Sequence, residues 1–303
     1  MRSFTPPTPD QVRAHLNRFA PQPPSRLASW STVIALPLLL LIALANNNSA
    51  LIVLPMIALG AILATTHWRL RRQREQEEQT LRVQELAMQR RFIESLRLAW
   101  QLLPRVVQQP QLHGRVVATI AHDLDELRCY DAAIVAYDYL LERMAAEDPA
   151  AVQFQVLRSL AQLATDRLTD ADDTLRRLRG VIGRFRDTAI GAAYRLALLV
   201  QQIRTNHYQQ AIDESDSLLD ALRPLGVQAG YGHALMALAY RELARHHNQP
   251  TPAAAREWWH RATLLLSPEA LMSRFPELRV MNESAAADTS HIQSTTASSD
   301  QQE

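Results

Sequence analysis

The chain of 303 residues contains no lysine, a single cysteine and only eight glycines. One cysteine, Cys129, excludes an internal disulfide framework and is compatible with a reducing compartment. The shortage of glycine, together with abundant Ala, Leu, Arg and Gln, favours helices, because sheets require more β-branched and aromatic residues in alternation. The sequence therefore predicts an all-α protein. The exclusive use of arginine for all 32 basic residues is typical of a GC-rich genome and suggests a bacterial source.

The sequence motifs of catalysis and metal binding are also missing. There is no glycine-rich phosphate loop, no G-x-S-x-G elbow and no H-E-x-x-H pair. His122 and Glu126 are one helical turn apart in the densest group of histidines and acids, but acids near a turn are more often solvating or capping groups than metal ligands. We therefore expect no enzyme, cofactor or metal site. The alternative is an enzyme whose titratable groups lie in a deep polar pocket.

Charge divides the chain in two. Residues 1–74 contain eight arginines and one acid, Asp10, whereas residues 75–303 contain 24 arginines and 30 acids. The larger part is thus mildly acidic, which argues against a surface for nucleic acid. The positive charge lies on either side of the most apolar stretch of the chain.

Two apolar segments, 27–45 and 50–68, are each 19 residues long and contain no Asp, Glu or Arg. As helices, each would span about 28 Å, close to the roughly 30 Å of a hydrocarbon core. Trp30 and Trp68 lie near the outer ends, where headgroups are expected. A cleaved signal peptide fits poorly because a second apolar segment follows at once. We predict a transmembrane hairpin with residues 46–49 as its polar turn.

The arginines around this hairpin predict its orientation. They precede the first segment and follow the second, while the turn carries no charge: Arg2, Arg13, Arg18, Arg26, Arg69, Arg71, Arg72 and Arg74. Because positively charged flanks stay in the cytoplasm, we expect a multi-pass protein of the inner (cytoplasmic) membrane with both termini cytoplasmic.

Residues 1–26 form a proline-rich, basic arm in which the sequence "TPDQVRAHLNRF" predicts one short helix. Thr8 would be its N-cap, with a proline at the first helical position. Val12, Leu16 and Phe19 fall on one face. That face suits contact with an anionic leaflet, and a simply solvated arm is the equal alternative.

Residues 69–105 contain no glycine, and they predict one long stalk helix. Leu86, Ile93 and Trp100 recur at intervals of seven over its distal half. We expect this helix to leave the membrane solvated and then to pack against the body. A parallel coiled coil, and hence a homo-oligomer, is the alternative interpretation.

From residue 112 onward the sequence predicts helices paired by short turns. The segment "ATIAHDLDELRCYDAAIVAYDYLLER" places small, aromatic and apolar residues at fixed intervals. The positions that carry this pattern, with their weaker counterparts in three later segments, are Ala121, Tyr130, Ala133, Tyr137, Leu140, Leu168, Ala171, Leu175, Leu178, Tyr208, Ala211, Leu218, Ala255, Trp259 and Ala262. The anchors Tyr130, Leu168 and Tyr208 are 38 and 40 residues apart, which predicts long helices or extended turns.

This pattern resembles the tetratricopeptide repeat, a two-helix unit that stacks into a curved solenoid. The resemblance implies a solenoid of about four helix pairs over 106–275, whose first helices line a groove for a polar or basic peptide. The groove positions that it implies are Arg115, Ala118, His122, Asp125, Glu126, His233, Met236, Tyr240 and Leu243. An ordinary solvated face is the alternative for these residues. The same pattern places Trp259 in a packing slot and leaves Trp258 as an exposed anchor.

The remaining segment, 276–303, is rich in Ser, Thr, Asp and Gln and is predicted to be a disordered tail. Taken together, the features predict a membrane-anchored scaffold whose partners are the lipid bilayer and a cytoplasmic protein or peptide. A self-assembling, membrane-shaping hairpin is one alternative. The layout is also similar to that of the HemY-type proteins linked to haem biosynthesis, which would make the chain an accessory protein of a biosynthetic pathway.

Overall fold

The computed structural model describes residues 4–21 and 49–283, without the side chains of 49–59 and 61. These described residues form helices and no strand, which confirms the all-α prediction. The chain divides into two compact units, Met1–Ala136 and Tyr137–Glu303.

The described residues contain thirteen α-helices, α1 to α13. The boundary between the two units falls within α5. Up to that boundary they are α1 (Pro9–Arg18), α2 (Ser49–Met88), α3 (Phe92–Leu102), α4 (Pro110–Glu126) and α5 (Tyr130–Leu141). The second unit continues with α6 (Pro149–Ala164), α7 (Leu168–Leu178), α8 (Ala189–Arg204), α9 (Tyr208–Asp213), α10 (Ser215–Leu222), α11 (Ala229–His246), α12 (Ala253–Leu265) and α13 (Pro268–Arg274).

One turn recurs between paired helices throughout the described chain. A residue with positive φ ends the first helix, and these residues recur every 38 to 42 positions: Arg90, Arg128, Asp166, Asn206 and Asn248. In each turn the next backbone N–H donates to a carbonyl five residues earlier, at 2.8–2.9 Å. This left-handed turn satisfies carbonyls that the end of a helix leaves without partners. The described residues thus contain five helical hairpins, and the first hairpin already begins with α2.

The second helices of these hairpins repeat the same buried positions. Five residues after the turn residue a small side chain is buried in the first four hairpins, namely Ser95, Ala133, Ala171 and Ala211. Twelve residues after the turn residue there is a buried leucine, namely Leu102, Leu140, Leu178 and Leu218. Small residues allow the paired helices to approach closely, and the leucines fill the space further along.

The N-terminal arm has a different environment from either predicted one. Helix α1 begins at the predicted N-cap, where Thr8 and Gln11 form a capping box. Its apolar face packs against the first unit, so that Val12 and Leu16 are fully buried. His15 lies edge-on to the ring of Trp100 at 4.5 Å. The face predicted to meet lipid or water is therefore occupied by protein.

The predicted stalk 69–105 differs from the structure, which has two helices here. α2 ends at Met88, the chain turns at Arg90, and α3 runs back along α2. Ser95 of α3 donates a hydrogen bond to the Val83 carbonyl of α2 at 3.0 Å. The apolar spacing that suggested a coiled coil between two chains here serves contacts between α2, α3 and α4 of one chain. Heptad spacing shows that a helix has an apolar face, but it does not show which helix packs against that face.

Within residues 4–21 and 49–283, no helix combines the length and the apolar content that a bilayer crossing requires. The predicted first segment, 27–45, lies outside the described residues, as do 46–48 of the predicted turn. The predicted second segment, 50–68, lies in α2, where the side chains of 49–59 and 61 are not described.

In the second unit, the first helices α6, α8 and α11 contact one another in sequence, and each packs against its own second helix. The stack extends beyond the predicted limit at residue 275. Phe275, Leu278 and Met281 recur every three residues and are buried in the core, so residues 276–281 are ordered where a disordered tail was predicted. Residues 284–303 lie outside the described residues.

Candidate functional site

Four of the predicted groove residues lie on α4 of the first unit. Arg115 is exposed, whereas the ring of His122 meets the ring of Phe92 edge-on at 5.9 Å. Asp125 is only 5% exposed, and Glu126 is half-buried. The α3–α4 packing thus covers part of the surface that was predicted to hold a peptide.

The other two predicted polar groove residues, His233 and Tyr240, lie on α11 of the second unit and are half-buried. The His233 ring packs against the Trp258 ring at 5.4 Å. Burial, and secondly the nearby charge of Arg261, lower the pKa of His233. Trp258, predicted to be an exposed anchor, is 7% exposed because His233 and Arg261 cover it. His233 thus contributes mainly to the contact between α11 and α12.

A cleft of about 1170 Å³ opens elsewhere in the second unit, between the third and fourth hairpins. Its floor is one face of α8, and Gly191, Tyr194, Leu198, Gln201 and Thr205 recur along it every three or four residues. This face is about 21 Å long. It therefore has the length of about six residues of extended peptide.

The second helices of the two hairpins form the walls of the cleft. Asp172 of α7 accepts a hydrogen bond from Gln201 Nε2 at 2.8 Å. Glu214, between α9 and α10, faces Arg195 at 4.0 Å. The cleft therefore contains both donors and acceptors, and both kinds of group can bind a peptide backbone.

The connection between α7 and α8 closes one end of the cleft. It contains a short 3₁₀ helix, Ile182–Phe185, whose backbone lies against α8 at Gly191. A Cβ added to Gly191 would be 2.2 Å from the Phe185 carbonyl oxygen, so only glycine fits there. The shape of the cleft therefore depends on a close backbone contact.

Arginines are prominent at this closed end. Arg179, Arg186 and Arg223 line it and have no ion pair among the described residues. Asp187 and Asp220 line it as well. Both signs of charge are thus presented to solvent. Arg179 and Arg223 also cap the ends of α7 and α10, where a cation complements the helix dipole.

None of the six predicted polar groove residues lines this cleft, whose floor is on α8 and not on α4 or α11. The sequence contained two signals for it. The interval of 40 residues between Leu168 and Tyr208 predicted long helices or extended turns, and the connection that closes the cleft lies within this interval. Arg195, Gln201 and Gln202 also place polar side chains on a helix whose neighbours are apolar.

No family model matches this chain, and the searches of curated proteins and of solved structures found no significant match. The geometry of the chain itself therefore carries the functional argument.

Proposed function

We propose that this protein is a membrane-anchored scaffold that holds a partner protein at the cytoplasmic face of a bacterial inner membrane. The observation that carries this proposal is the cleft over α8, which has the length of a short extended peptide and contains both donors and acceptors. Its partner-binding residues would include Arg195, Gln201 and Glu214.

We further propose that the hairpins are tetratricopeptide-like repeats. The support is the turn that recurs every 38 to 42 residues. In the second helices, small residues and leucines also recur at the same positions relative to this turn. Units of this kind cannot bury their apolar faces alone and stack on their neighbours. The cleft would then be an opening in the stack where the extended connection spreads two second helices apart.

The proposed anchor is the hairpin of residues 27–45 and 50–68. The position of α1 supports it, because His113 of α4 is hydrogen-bonded through Nε2 to the carbonyl oxygen of Phe19 at 2.9 Å. The chain before the apolar stretch and the chain after it are thus held in the same folded unit. A stretch that enters a bilayer between them would have to cross it an even number of times.

Site-specific photocrosslinking in membranes tests the scaffold function. A photoreactive residue replaces Ser217, which lines the cleft, or Arg115, which lies in the groove implied by the repeat resemblance. We expect a discrete crosslinked protein from position 217. Arg195→Ala should remove it, because the substitution takes away a donor on the floor of the cleft.

The matched control is Arg245→Ala, which removes a charge from an exposed position at the end of α11 that does not line the cleft. It should leave the crosslinked product unchanged. A product from position 115 alone would move the site from the cleft to the predicted groove on α4. The absence of a product from both positions would contradict the scaffold proposal.

A further inference from the structure

Residues 63–75 of α2 form an exposed segment, which we call the bare part of the helix, between the proposed anchor and the folded body. Every side chain from Leu63 to Glu75 is exposed, so this length of helix, about 20 Å, lies against nothing else in the described chain. Contact with the body begins at Gln76, whose side-chain amide donates to the Arg105 carbonyl at 2.7 Å.

Four arginines surround the helix in this bare part, and we call Arg69, Arg71, Arg72 and Arg74 the arginine collar. Successive residues of an α-helix are about 100° apart, so these four side chains leave the helix on all its sides. A protein that docks on one face of the helix would contact only some of these arginines. An environment that is anionic all around the helix matches a collar better.

Most of this charge is not neutralised within the described chain. Arg71 pairs with Glu75 at 3.5 Å, and the Arg72 guanidinium lies 5.5 Å from the centre of the Trp68 ring. Arg69, Arg72 and Arg74 have no ion pair among the described residues. The collar therefore keeps cations that a surrounding anion would complement.

The order of residues along the helix fits a boundary between lipid and water. Leu63 and Trp68 are 62% and 60% exposed, and the collar follows them directly. The acids Glu75, Glu77 and Glu78 come next, toward the body. Along the helix, an apolar side chain is followed by an amphipathic ring, then by cations and then by anions. This is the order in which a helix leaving a bilayer meets hydrocarbon, the interface, the lipid phosphates and water.

We propose that the arginine collar is a binding site for the phosphate groups of anionic phospholipids, which surround α2 where it leaves the bilayer. This inference rests on the proposed anchoring by residues 27–68. The guanidinium groups donate to the phosphodiester oxygens, and the Trp68 ring lies beside the first carbons of the acyl chains.

Trp68 is a native reporter for this site. The full chain, with Trp30→Phe, is reconstituted in vesicles of equal phosphatidylglycerol and phosphatidylcholine in which one lipid or the other carries brominated acyl chains. The same chain with Trp68→Phe gives the background from the other tryptophans. We expect brominated phosphatidylglycerol to quench Trp68 at least about twofold more than brominated phosphatidylcholine.

Substitution of Arg69, Arg72 and Arg74 by Gln should make the two brominated lipids equally effective. The matched control replaces Arg82, Arg97 and Arg105 by Gln, which removes three exposed charges beyond Gln76 and should preserve the difference. If the two brominated lipids quench Trp68 equally in the protein with its native collar, the lipid-binding inference is overturned and the anchoring is not. No quenching of Trp68 by either lipid would overturn the anchoring itself.

Discussion

Asp123 is the residue with the most unusual environment in the first unit. It is fully buried on α4, and neither carboxylate oxygen has a hydrogen-bond partner among the described residues. Burial raises the pKa of Asp123 to about 7, the nearby Ser95 hydroxyl opposes the rise, and the charge of Glu126 adds to it. The Ser95 proton is already donated to the Val83 carbonyl, so it gives little compensation. The buried carboxyl is therefore held in its neutral form by its surroundings.

The stability of the protein should accordingly depend on pH. Because the folded-state pKa of Asp123 is above the unfolded value of 3.8, the folded state retains a proton that the unfolded state releases. The free energy of unfolding should fall as the pH rises from 3.8 to about 7 and then level off. Asp123→Asn should remove this dependence and stabilise the protein at pH 8 by about 2–4 kcal/mol.

Thermal unfolding of the full chain in detergent at pH 5 and pH 8, followed by circular dichroism, checks this prediction. Glu78→Gln, which neutralises an exposed acid on α2, is the control and should change little. A decrease in stability of the Asp123→Asn protein at pH 8 would show that the native carboxylate is stabilised by an interaction of its charge.

At the scale of the helices, the recurring turn is the device that pairs them. It uses three residues that tolerate positive φ, Asp166, Asn206 and Asn248, and two arginines that do not. Arg90 and Arg128 adopt φ of 60°. A β-carbon is strained in this region of the backbone, whereas Asn and Asp adopt it more readily.

Replacement of Arg128 by Gly should therefore stabilise the α4–α5 hairpin. We expect a gain of about 0.5–1 kcal/mol, since the relief of strain exceeds the entropy that glycine adds to the unfolded chain. Asn248→Gly is the matched control at the equivalent turn and should change the stability by less than about 0.5 kcal/mol. The midpoint of urea unfolding measures both. Equal effects of the two substitutions would mean that Arg128 is not strained.

At the scale of the whole molecule, the question is where the chain lies relative to a membrane. The packing of α1 against α3 and α4 keeps residues 4–21 with the chain that follows α2. The proposed apolar hairpin then has both of its ends on one side. The two proposed binding surfaces, the arginine collar and the cleft over α8, follow it along the chain.

Cysteine labelling tests this topology in a Cys129→Ser background. Ser49→Cys marks the proposed turn, and Ser290→Cys marks the C-terminal segment. With a membrane-impermeant maleimide, we expect position 49 to react from outside the cell and position 290 only in inverted vesicles. Reaction of position 290 from outside would overturn the cytoplasmic assignment.

Several features of the fold followed from the sequence alone, because they depend on local spacing. Helices α5, α7 and α9 begin at Tyr130, Leu168 and Tyr208, the residues from which the interval of the pattern was measured, and Thr8 caps α1 as predicted. Helical periodicity and capping are set by residues within about one turn of each other, so a single sequence is sufficient to reveal them.

Contacts distant in sequence decided the rest. Leu16 is on an apolar face that the sequence indicates, whereas Trp258 was expected to be exposed. Only the folded chain shows that Leu16 is buried within the first unit and that His233 covers Trp258. The predicted groove residues are on α4 and α11, whereas the cleft lies over α8, where the connection before Gly191 packs closely against the helix. The sequence by itself determined that the chain is helical and where several of its helices begin, because periodicity and capping are local. The tertiary structure decided which faces are covered, because burial depends on what approaches from elsewhere in the chain.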